Sequence, residues 1–419
     1  MVIRDLNWAL VDGALGHTGS FLVKRLIELD WKVVATDLEK EDREILMTKE
    51  KVFNQSSESL DCRNWENVIF IPTDLTKKKT LELLFSKDLI NNKTQNYDVI
   101  FHPASLYDYG APYELLHEIN YVGLRNFLDV ILNYADEENT TPPRFVHWST
   151  CGVYGEPDYQ TDKNGYIYPI GENAPYNPPN NYSQTKVEQE KLILKTAKKR
   201  PDFTYTILRP APIYGPYQTY GMFHIFYTSY IMGHSVLSKV YPKNKKLMMP
   251  MVYIDDLIRA AIFLAEKDEA INEVYNVIND SPLQEHFLEF IYYELGTTFS
   301  VFPVPWFFFR VLCKILYYLA KRKEKKNKKL GIRSKFDLPM VQYLTHQYYF
   351  SNEKLKKLGF QFEYNNFQKG VYETIDWYKR HNWLPMDIKP TPDYINTIPK
   401  PPIIPKREYK TPMEGGETF

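Results

Sequence analysis

The sequence predicts an α/β protein with a doubly wound parallel sheet and a smaller, mainly helical C-terminal substrate region. Short apolar runs alternate with helical patterns over the first two-thirds of the 419 residues. A glycine-rich turn follows the first run, and the regular alternation stops beyond Pro216. Strands separated by helices are typical of a parallel sheet covered on both faces. Right-handed crossovers between the strands are then expected.

Six apolar runs have the length and composition of buried strands, and helical patterns separate them. The predicted strands are Trp8–Val11, Lys32–Thr36, Val68–Ile71, Val99–His102, Phe145–Trp148 and Tyr205–Leu208. The predicted helices include Ser20–Leu29, Thr80–Leu84, Tyr113–Leu132 and Ser183–Ala197.

Composition divides the chain into three parts. Residues 1–216 are predicted to form the sheet domain. Residues 217–387 are rich in aromatic side chains and are predicted to bind substrate and cap the sheet, with some returns to it around 250–280. Residues 388–419 carry many prolines and are expected to be extended or disordered.

Bulk composition argues against several classes of protein. Lys+Arg and Asp+Glu both total 52, so no net charge favours a nucleic-acid partner. The three cysteines are too few and too scattered for a disulfide framework or a metal site, which fits a reducing compartment. The N-terminus lacks the apolar core of a secretory signal, and no run reaches roughly 18 uncharged apolar residues. A cytoplasmic protein is expected.

A glycine loop follows the first predicted strand and opens the first helix. Gly13, Gly16 and Gly19 have the spacing G-x-x-G-x-x-G, with His17 and Thr18 between the last two. This spacing permits a tight turn, close approach of a pyrophosphate and close packing of helix against strand. The helix N-terminus supplies N–H groups and partial positive charge for phosphates. The loop predicts a Rossmann-type dinucleotide site; a structural turn is the alternative.

Asp37, at the end of the second strand, bears on the choice of cofactor. It lies 18 residues after Gly19, where a carboxylate accepts hydrogen bonds from an adenosine ribose diol and repels a 2′-phosphate. This favours NAD. Lys40 and Arg43 lie close enough in sequence to leave NADP open.

Tyr182 and Lys186 form the candidate catalytic pair. They lie four residues apart at the start of a predicted helix, so their side chains share one face. A phenol titrates near pH 10, and a neighbouring ammonium favours its phenolate form, which could take a proton from a substrate hydroxyl. Ser149 and Thr150 follow the strand that ends at Trp148, at the edge where open α/β sheets bind ligands. One of these hydroxyls could orient substrate, or both could belong to a capping turn.

These residues resemble the extended short-chain dehydrogenase/reductase family. The resemblance covers roughly residues 5 to 382 in the family's order. Beyond the glycine loop and the catalytic pair, it consists of Asp74 in PTDLT, His102-Pro103-Ala104-Ser105, Asn120 in INYVG, STCGVYG at 149–155, RPAPIYGP at 209–216 and VYIDD at 252–256.

The resemblance implies roles for individual residues. It implies that Thr150 is the catalytic hydroxyl and Ser149 its neighbour, with Tyr182 as acid/base and Lys186 as its partner. Asp74 and Leu75 would lie near the adenine, and Pro103, Ala104, Ser105 and Asn120 along the cofactor; Pro210 to Ile213 would pass the nicotinamide. His17-Thr18 departs from the family's usual hydrophobic pair, so His17 either contacts phosphate or is a partly exposed loop histidine. Cys151-Gly152 replaces the acidic residues of the dehydratase branch, which argues against sugar dehydration.

The C-terminal third looks most like the 3β-hydroxysteroid and sterol-4-carboxylate 3-dehydrogenase branch. The similarity rests on an apolar stretch at 304–320 and on the runs 349–360 and 370–377. It implies hydride transfer between NAD and a secondary alcohol or ketone of a steroid-like or isoprenoid-like substrate. A nucleotide-sugar 4-epimerase is the first alternative, for which Lys243, Lys245 and Lys246 could bind a diphosphate. A non-catalytic, redox-sensing NAD(P)-binding protein is the second.

Residues 301–329 combine an apolar stretch with a basic run. The segment up to Ala320 is interrupted only by Arg310 and Lys314, and KRKEKKNKK follows at 321–329. An apolar helix beside a lysine cluster can lie in a membrane interface. A core helix of the substrate region, or the surface of an expected homodimer, followed by a solvated loop, is the alternative.

Overall fold

The computed structural model describes residues 8–39, 60–86, 97–109, 111–160, 167–218, 221–232, 240–242, 247–297, 302–329 and 345–390. Lys40, Arg43, the three lysines at 243–246 and the proline-rich tail beyond 390 lie outside these ranges.

Eleven strands are formed by the described residues. They are β1 (Trp8–Val11), β2 (Lys32–Asp37), β3 (Val68–Pro72), β4 (Val99–His102), β5 (Arg144–Trp148), β6 (Tyr205–Pro210), β7 (Ile213–Tyr214), β8 (Val240–Pro242), β9 (Val252–Tyr253), β10 (Glu273–Val277) and β11 (Phe302–Val304).

The α-helices of the described residues lie between and after these strands. They are α1 (His17–Glu28), α2 (Lys78–Glu82), α3 (Tyr113–Leu116), α4 (Gly123–Glu137), α5 (Asn181–Lys199), α6 (Phe223–Met232), α7 (Ile254–Glu266), α8 (Gln284–Glu294), α9 (Trp306–Lys329), α10 (Glu353–Lys357) and α11 (Phe367–Arg380). A π-helical segment, His117–Val122, joins α3 to α4. A short 3₁₀ turn, Cys151–Tyr154, follows β5.

The main sheet has seven parallel strands in the order β10-β6-β5-β4-β1-β2-β3. Strands β2 and β3 follow β1 on one side, and β4, β5 and β6 are then added on its other side. The strand order therefore reverses between β1 and β4. Ligands of open α/β sheets bind in the crevice at such a switch point, outside the carboxyl ends of the strands. The predicted doubly wound fold is confirmed, and the six predicted strands all belong to this sheet.

Alternate residues of each strand bury opposite faces of the sheet. Leu10 packs in the core that contains Phe127 of α4. Its neighbour Val11 packs in the core that contains Leu22 of α1 and Leu257 of α7. Because successive side chains in a strand point to opposite faces, these central strands are apolar throughout. Both faces of the sheet are therefore covered by helices.

The C-terminal part of the chain contributes both to the main sheet and to smaller pairings. β10 is the outer strand beside β6, and α7 packs against α1. Two short parallel pairs, β7 with β9 and β8 with β11, lie outside the main sheet. Helix α1 begins at His17, three residues before the predicted start, because Gly16 serves as its N-cap. None of the helices built from the described residues is long and apolar enough to cross a membrane.

Candidate active site

The glycine loop folds tightly between β1 and α1. Gly13 has a φ of +60°, and a Cβ atom added there would lie 2.9 Å from the Cα of Ala104. A Cβ on Gly19 would lie 2.1 Å from the carbonyl oxygen of Gly13. Side chains at either position are therefore excluded, which leaves a bare backbone cradle at the first turn of α1. Amide groups of a first helical turn lack a carbonyl partner within the helix, and such a cradle fits a pyrophosphate.

Asp37 lies beside this loop, at the end of β2. Its Oδ2 accepts a hydrogen bond from the backbone N–H of Leu15 (2.9 Å), and its Oδ1 accepts one from Leu38 (2.8 Å). The carboxylate is half-buried. It is thus fixed at the rim of the loop, where it would face a ribose diol.

Asp74 and Leu75 lie at the end of the next strand, β3. Burial opposes ionisation of Asp74, but hydrogen bonds from Thr76 and the ammonium of Lys77 outweigh it and hold the pKa of the carboxyl below its usual value. The Lys77 Nζ is 3.1 Å from the carboxylate. Leu75 packs closely on Gly123, so this corner of the crevice has one anionic and one apolar residue.

The turn after β4 faces the glycine loop across the switch point. The N–H of Ala104 donates to Oδ1 of Asp12 at 3.1 Å, which ties this turn to the end of β1. The buried hydroxyl oxygen of Ser105 has no hydrogen-bond partner among the described residues. An unpaired buried hydroxyl is costly, so its presence in the crevice fits a ligand that supplies the partner. Pro103 lies half-buried in the same turn.

Asn120 links the turn after β4 to helix α5 by hydrogen bonds. Its Oδ1 accepts from the N–H of Leu106 (2.7 Å), and its Nδ2 donates to the hydroxyl of Thr185 (3.2 Å). It lies in the π-helical segment, a distortion that is frequent at functional sites. Asn120 is almost fully buried. Its contacts are those of a positioning residue that holds the crevice wall against α5.

Tyr182 and Lys186 lie on one face of the first turns of α5. Asn180 caps this helix by accepting a hydrogen bond from Ser183 N–H at 2.9 Å. Lys186 Nζ is 5.9 Å from the centre of the Tyr182 ring and donates to the carbonyl oxygen of Trp148 at 2.7 Å. Both side chains are buried.

Burial is the main influence on the charge of Lys186. It lowers the pKa of the ammonium to about 7, and the carboxylates of Asp12 and Glu190 partly oppose this shift. Burial holds the pKa of the nearby His147 imidazole well below its usual value, and the positive charge of Lys186 lowers that pKa further. Lys186 therefore titrates in the physiological range, where small changes in its surroundings alter its charge.

The two candidate hydroxyls after β5 have different surroundings. Thr150 Oγ1 accepts a hydrogen bond from Gly152 N–H at 3.0 Å and is half-exposed. A Cβ on Gly152 would lie 3.3 Å from Thr150 Oγ1 and 2.8 Å from Ser183 Oγ, so the threonine hydroxyl adjoins the start of α5. Ser149 is buried, and its hydroxyl donates to Glu190. The crevice therefore contains Thr150, whereas Ser149 belongs to a buried polar network.

This buried polar network joins helix α5 to strand β6, and sequence reasoning missed it. Glu190 is fully buried and accepts hydrogen bonds from Arg209 (2.6 Å) and from the hydroxyl of Tyr176 (2.7 Å). Arg209 also donates to Tyr154 at 2.7 Å. Glu190 follows Lys186 by one helical turn, so helical spacing could have pointed to it.

A second polar group that sequence reasoning missed lies close to Lys186, at the switch point of the sheet. Asp12 pairs with Nδ1 of His102, and the ring of His102 stacks on His147 with centroids 5.2 Å apart. Both nitrogens of His147 lack a hydrogen-bond partner among the described residues. No role was assigned to Asp12 from the sequence. Its contacts now connect the cofactor loop to the surroundings of Lys186.

His17 and the residues that follow β6 form another wall of the crevice. His17 Nε2 lies 2.8 Å from the carbonyl oxygen of Pro216. Burial lowers the pKa of His17 to about 4, so the ring is neutral at pH 7 and brings no positive charge to a phosphate. Thr18 lies half-buried beside it in the first turn of α1. Pro210 ends β6, and Ile213 pairs with Val252 in the short β7–β9 ladder.

Two aromatic rings pack against Tyr182. Tyr107 and Tyr109 pack edge-on against it, with ring centroids 5.1 and 5.4 Å away. Leu106, Ala111 and Leu116 complete this cluster. Sequence reasoning missed these rings because they come from the turn after β4, far from Tyr182 in the chain. They give the catalytic tyrosine a largely apolar neighbourhood.

Similar proteins share both the fold and the sequence pattern. A "Putative UDP-glucose 4-epimerase" of Methanocaldococcus jannaschii is 24% identical over 288 residues, 64% of this chain and 80% of that protein. A "Sterol-4-alpha-carboxylate 3-dehydrogenase, decarboxylating" of Bos taurus is 24% identical over 190 residues, 44% of this chain and 49% of that protein. The crystal structure of a UDP-glucose 4-epimerase from Thermotoga maritima superposes with a TM-score of 0.61 at 20% identity, over 89% of this chain and 99% of that one.

The family model described as "NAD dependent epimerase/dehydratase family" matches residues 9–277. The match runs from β1 to the end of β10 and contains the glycine loop, the catalytic pair and all seven strands of the main sheet. This chain therefore belongs to the NAD-dependent epimerase/dehydratase family of enzymes.

Proposed function

We propose that this protein transfers hydride between NAD and a secondary alcohol or ketone on a hydrophobic substrate. The observation that carries the proposal is the buried Lys186 beside Tyr182, with Thr150, in the turn after β5, close to the start of the same helix. NAD, when bound, supplies the hydride acceptor or donor. The residues of the chain would hold it, orient the substrate oxygen and move the proton.

The crevice at the switch point fits NAD. The cradle formed by Gly13 and Gly19 leaves room for a pyrophosphate against the first turn of α1. Asp37 would accept hydrogen bonds from the adenosine ribose and repel a 2′-phosphate. Ser105 has an unpaired buried hydroxyl that a ligand could satisfy. The glycine cradle and Ser105 support a dinucleotide, and Asp37 favours NAD over NADP.

Tyr182 would be the general acid/base and Lys186 its electrostatic partner. A neighbouring ammonium favours the phenolate form of a tyrosine, which can then take the proton of a substrate hydroxyl. The hydrogen bond from Lys186 to the Trp148 carbonyl fixes the ammonium on the tyrosine side of α5. Thr150 would orient the substrate oxygen through its hydroxyl, because Ser149 is already bound to Glu190.

The surroundings of Tyr182 support an apolar substrate. Tyr107, Tyr109 and Leu106 present ring and aliphatic surface beside the phenol. Burial of a steroid-like or isoprenoid-like skeleton against such surface is favourable, at roughly 25 cal/mol per Å² of apolar area removed from water. The similarity to the bovine sterol dehydrogenase agrees with this substrate class.

A nucleotide-sugar 4-epimerase is the second candidate. The relatives from Methanocaldococcus jannaschii and Thermotoga maritima favour it, since both are named as UDP-glucose 4-epimerases. The same Tyr182, Lys186 and Thr150 would serve that reaction. Its distinguishing property would be NAD that stays bound through the catalytic cycle.

One experiment separates the two candidates. Purified protein is incubated with NAD⁺ and either a panel of 3β-hydroxysteroids or UDP-sugars, and NADH is followed by its ultraviolet absorbance. Steroid-dependent NADH formation that Tyr182→Phe reduces by on the order of 1,000-fold supports the dehydrogenase. Interconversion of UDP-sugars without net NADH, with NAD retained through purification, would instead assign the epimerase. Tyr182→Phe should still bind NAD, which excludes misfolding as the cause of lost activity.

A further inference from the structure

Among the described residues, helix α9 packs against the rest of the protein along one side. Phe309 and Cys313 are buried, and Trp306 stacks on Phe309 with centroids 5.9 Å apart. Tyr241 of β8 meets the Phe309 ring at 6.2 Å. These contacts anchor the helix through residues spaced three and four positions apart, on one helical face.

The other side of α9 exposes large apolar side chains. Thirteen large hydrophobic residues are exposed among those the structure describes, and seven of them lie on this one helix, with 39% to 71% of their surface accessible. At about 100° per residue, six of the seven fall within an arc of about 120°, opposite Phe309 and Cys313. These six are Phe307, Phe308, Val311, Ile315, Tyr318 and Leu319.

Positive charge adjoins this apolar stripe. Arg310 and Lys314 are exposed along one edge of it, and Lys321 and Arg322 are exposed beyond its end. The helix continues to Lys329 through KRKEKKNKK, which has seven positive residues and one negative, a net charge of +6 in a chain whose total is zero. Apolar surface and concentrated positive charge therefore occupy one element.

We propose that α9 docks the protein on the surface of a membrane that contains anionic lipids. The helix would lie in the plane of the interface, with the stripe defined above among the acyl chains and its basic residues against the head groups. Charge favours this occupant over a second copy of the chain, because pairing two such helices would bring two +6 segments into one assembly. The proposal does not depend on the redox reaction.

The test is co-sedimentation of the full-length protein with vesicles. Vesicles of phosphatidylcholine with about 30 mol% phosphatidylglycerol are compared with pure phosphatidylcholine. Binding to the anionic vesicles should be at least about tenfold tighter and should weaken in about 0.5 M NaCl. The triple variant Phe307→Ser/Phe308→Ser/Ile315→Ser should lose about tenfold or more of that affinity.

Matched variants give the controls. Leu83→Ser/Leu194→Ser/Tyr372→Ser removes three exposed hydrophobic residues elsewhere and should bind vesicles within about twofold of wild type. Lys314→Glu/Lys321→Glu should weaken only the preference for anionic lipid. Equal binding by wild type and the α9 triple variant would overturn the proposal. The proposal would also be overturned if the wild type bound no vesicles but formed a dimer in light scattering, and the triple variant were monomeric. That result would assign the stripe to a contact with a second copy of the chain.

Discussion

The ammonium of Lys186 donates to the backbone carbonyl of Trp148 across 2.7 Å, which joins helix α5 to the end of β5. Among the described residues, no carboxylate lies within hydrogen-bond distance of the Lys186 ammonium, and the Trp148 carbonyl fixes it instead. Desolvation therefore dominates its protonation, and its pKa falls to about 7. The consequences for stability and for activity can be measured separately.

Stability should rise with pH because of Lys186. Its ordinary pKa is 10.5 and its folded pKa is about 7, so between these values the unfolded chain binds a proton that the folded protein does not. The free energy of unfolding should then increase with pH across this window, by up to about 1.4 kcal/mol per unit. Urea denaturation of NAD-free wild type and Lys186→Met from about pH 7.5 to about pH 9 measures the difference. Identical slopes in the two proteins would contradict the assignment.

Asp12→Asn should shift the pH dependence of turnover. The carboxylate of Asp12 helps to raise the pKa of Lys186, so its loss should lower that pKa further and move the lysine-dependent limb of the kcat profile to lower pH. Asparagine retains the oxygen that accepts the Ala104 N–H, which preserves the turn after β4. Glu28→Gln, which removes an exposed carboxylate of α1, is the control and should leave the profile unchanged. An unshifted profile for Asp12→Asn would show that Asp12 acts only structurally.

Thr150 and Ser149 should respond differently to substitution. Thr150→Ala should reduce kcat on the order of 100-fold with little change in stability, and Thr150→Ser should restore most of it. Ser149→Ala should leave kcat within a few-fold but cost about 1.5 kcal/mol in the free energy of unfolding, because Glu190 loses a donor. Kinetics and urea denaturation of the three variants test the pair. The reverse pattern would assign the catalytic hydroxyl to Ser149.

Gly19→Ala should abolish tight NAD binding. The added Cβ would lie 2.1 Å from the Gly13 carbonyl oxygen and 2.9 Å from the Ala14 Cα, both backbone atoms that cannot move independently. The loop would open, and NAD affinity measured by calorimetry should fall by more than about tenfold. Gly171→Ala is the matched control, since no atom of the described residues, its two chain neighbours apart, lies within 4 Å of its added Cβ. Equal losses in the two variants would show that the cradle is not the binding determinant.

Sequence reasoning identified the residues near the carboxyl ends of the strands because their positions follow from local rules. Gly13, Asp37 and Thr150 each lie within two residues of the end of a predicted strand, and parallel strands bring their carboxyl ends to one edge. Ala104, two residues after another strand, was assigned by the family resemblance. The helical spacing of Tyr182 and Lys186 placed them on one face for the same local reason. Their assignment to cofactor and substrate stays a prediction, together with the homodimer and the cytoplasmic location.

The buried partners of these residues could not be predicted in the same way. Glu190 and Arg209 are 19 positions apart and meet only because α5 packs on β6. His102 stacks on His147 because β4 pairs with β5 in register. Helical spacing places Glu190 on the face of Lys186, but neither residue type nor spacing indicates which residue of another element it contacts.

The sequence by itself determined the alternation of strands and helices, the glycine cradle and the placement of Tyr182 and Lys186 on one helical face, because each depends on the properties of a few neighbouring residues. Only the tertiary structure decided the environment of Lys186, the separation of Ser149 from Thr150 and the exposed stripe on α9. Those features depend on which side chains the packing removes from water. Burial lowers the pKa of Lys186, and the packing of the described residues leaves the apolar stripe of α9 exposed to water. Burial and exposure are properties of the whole fold, which no short segment of the chain contains.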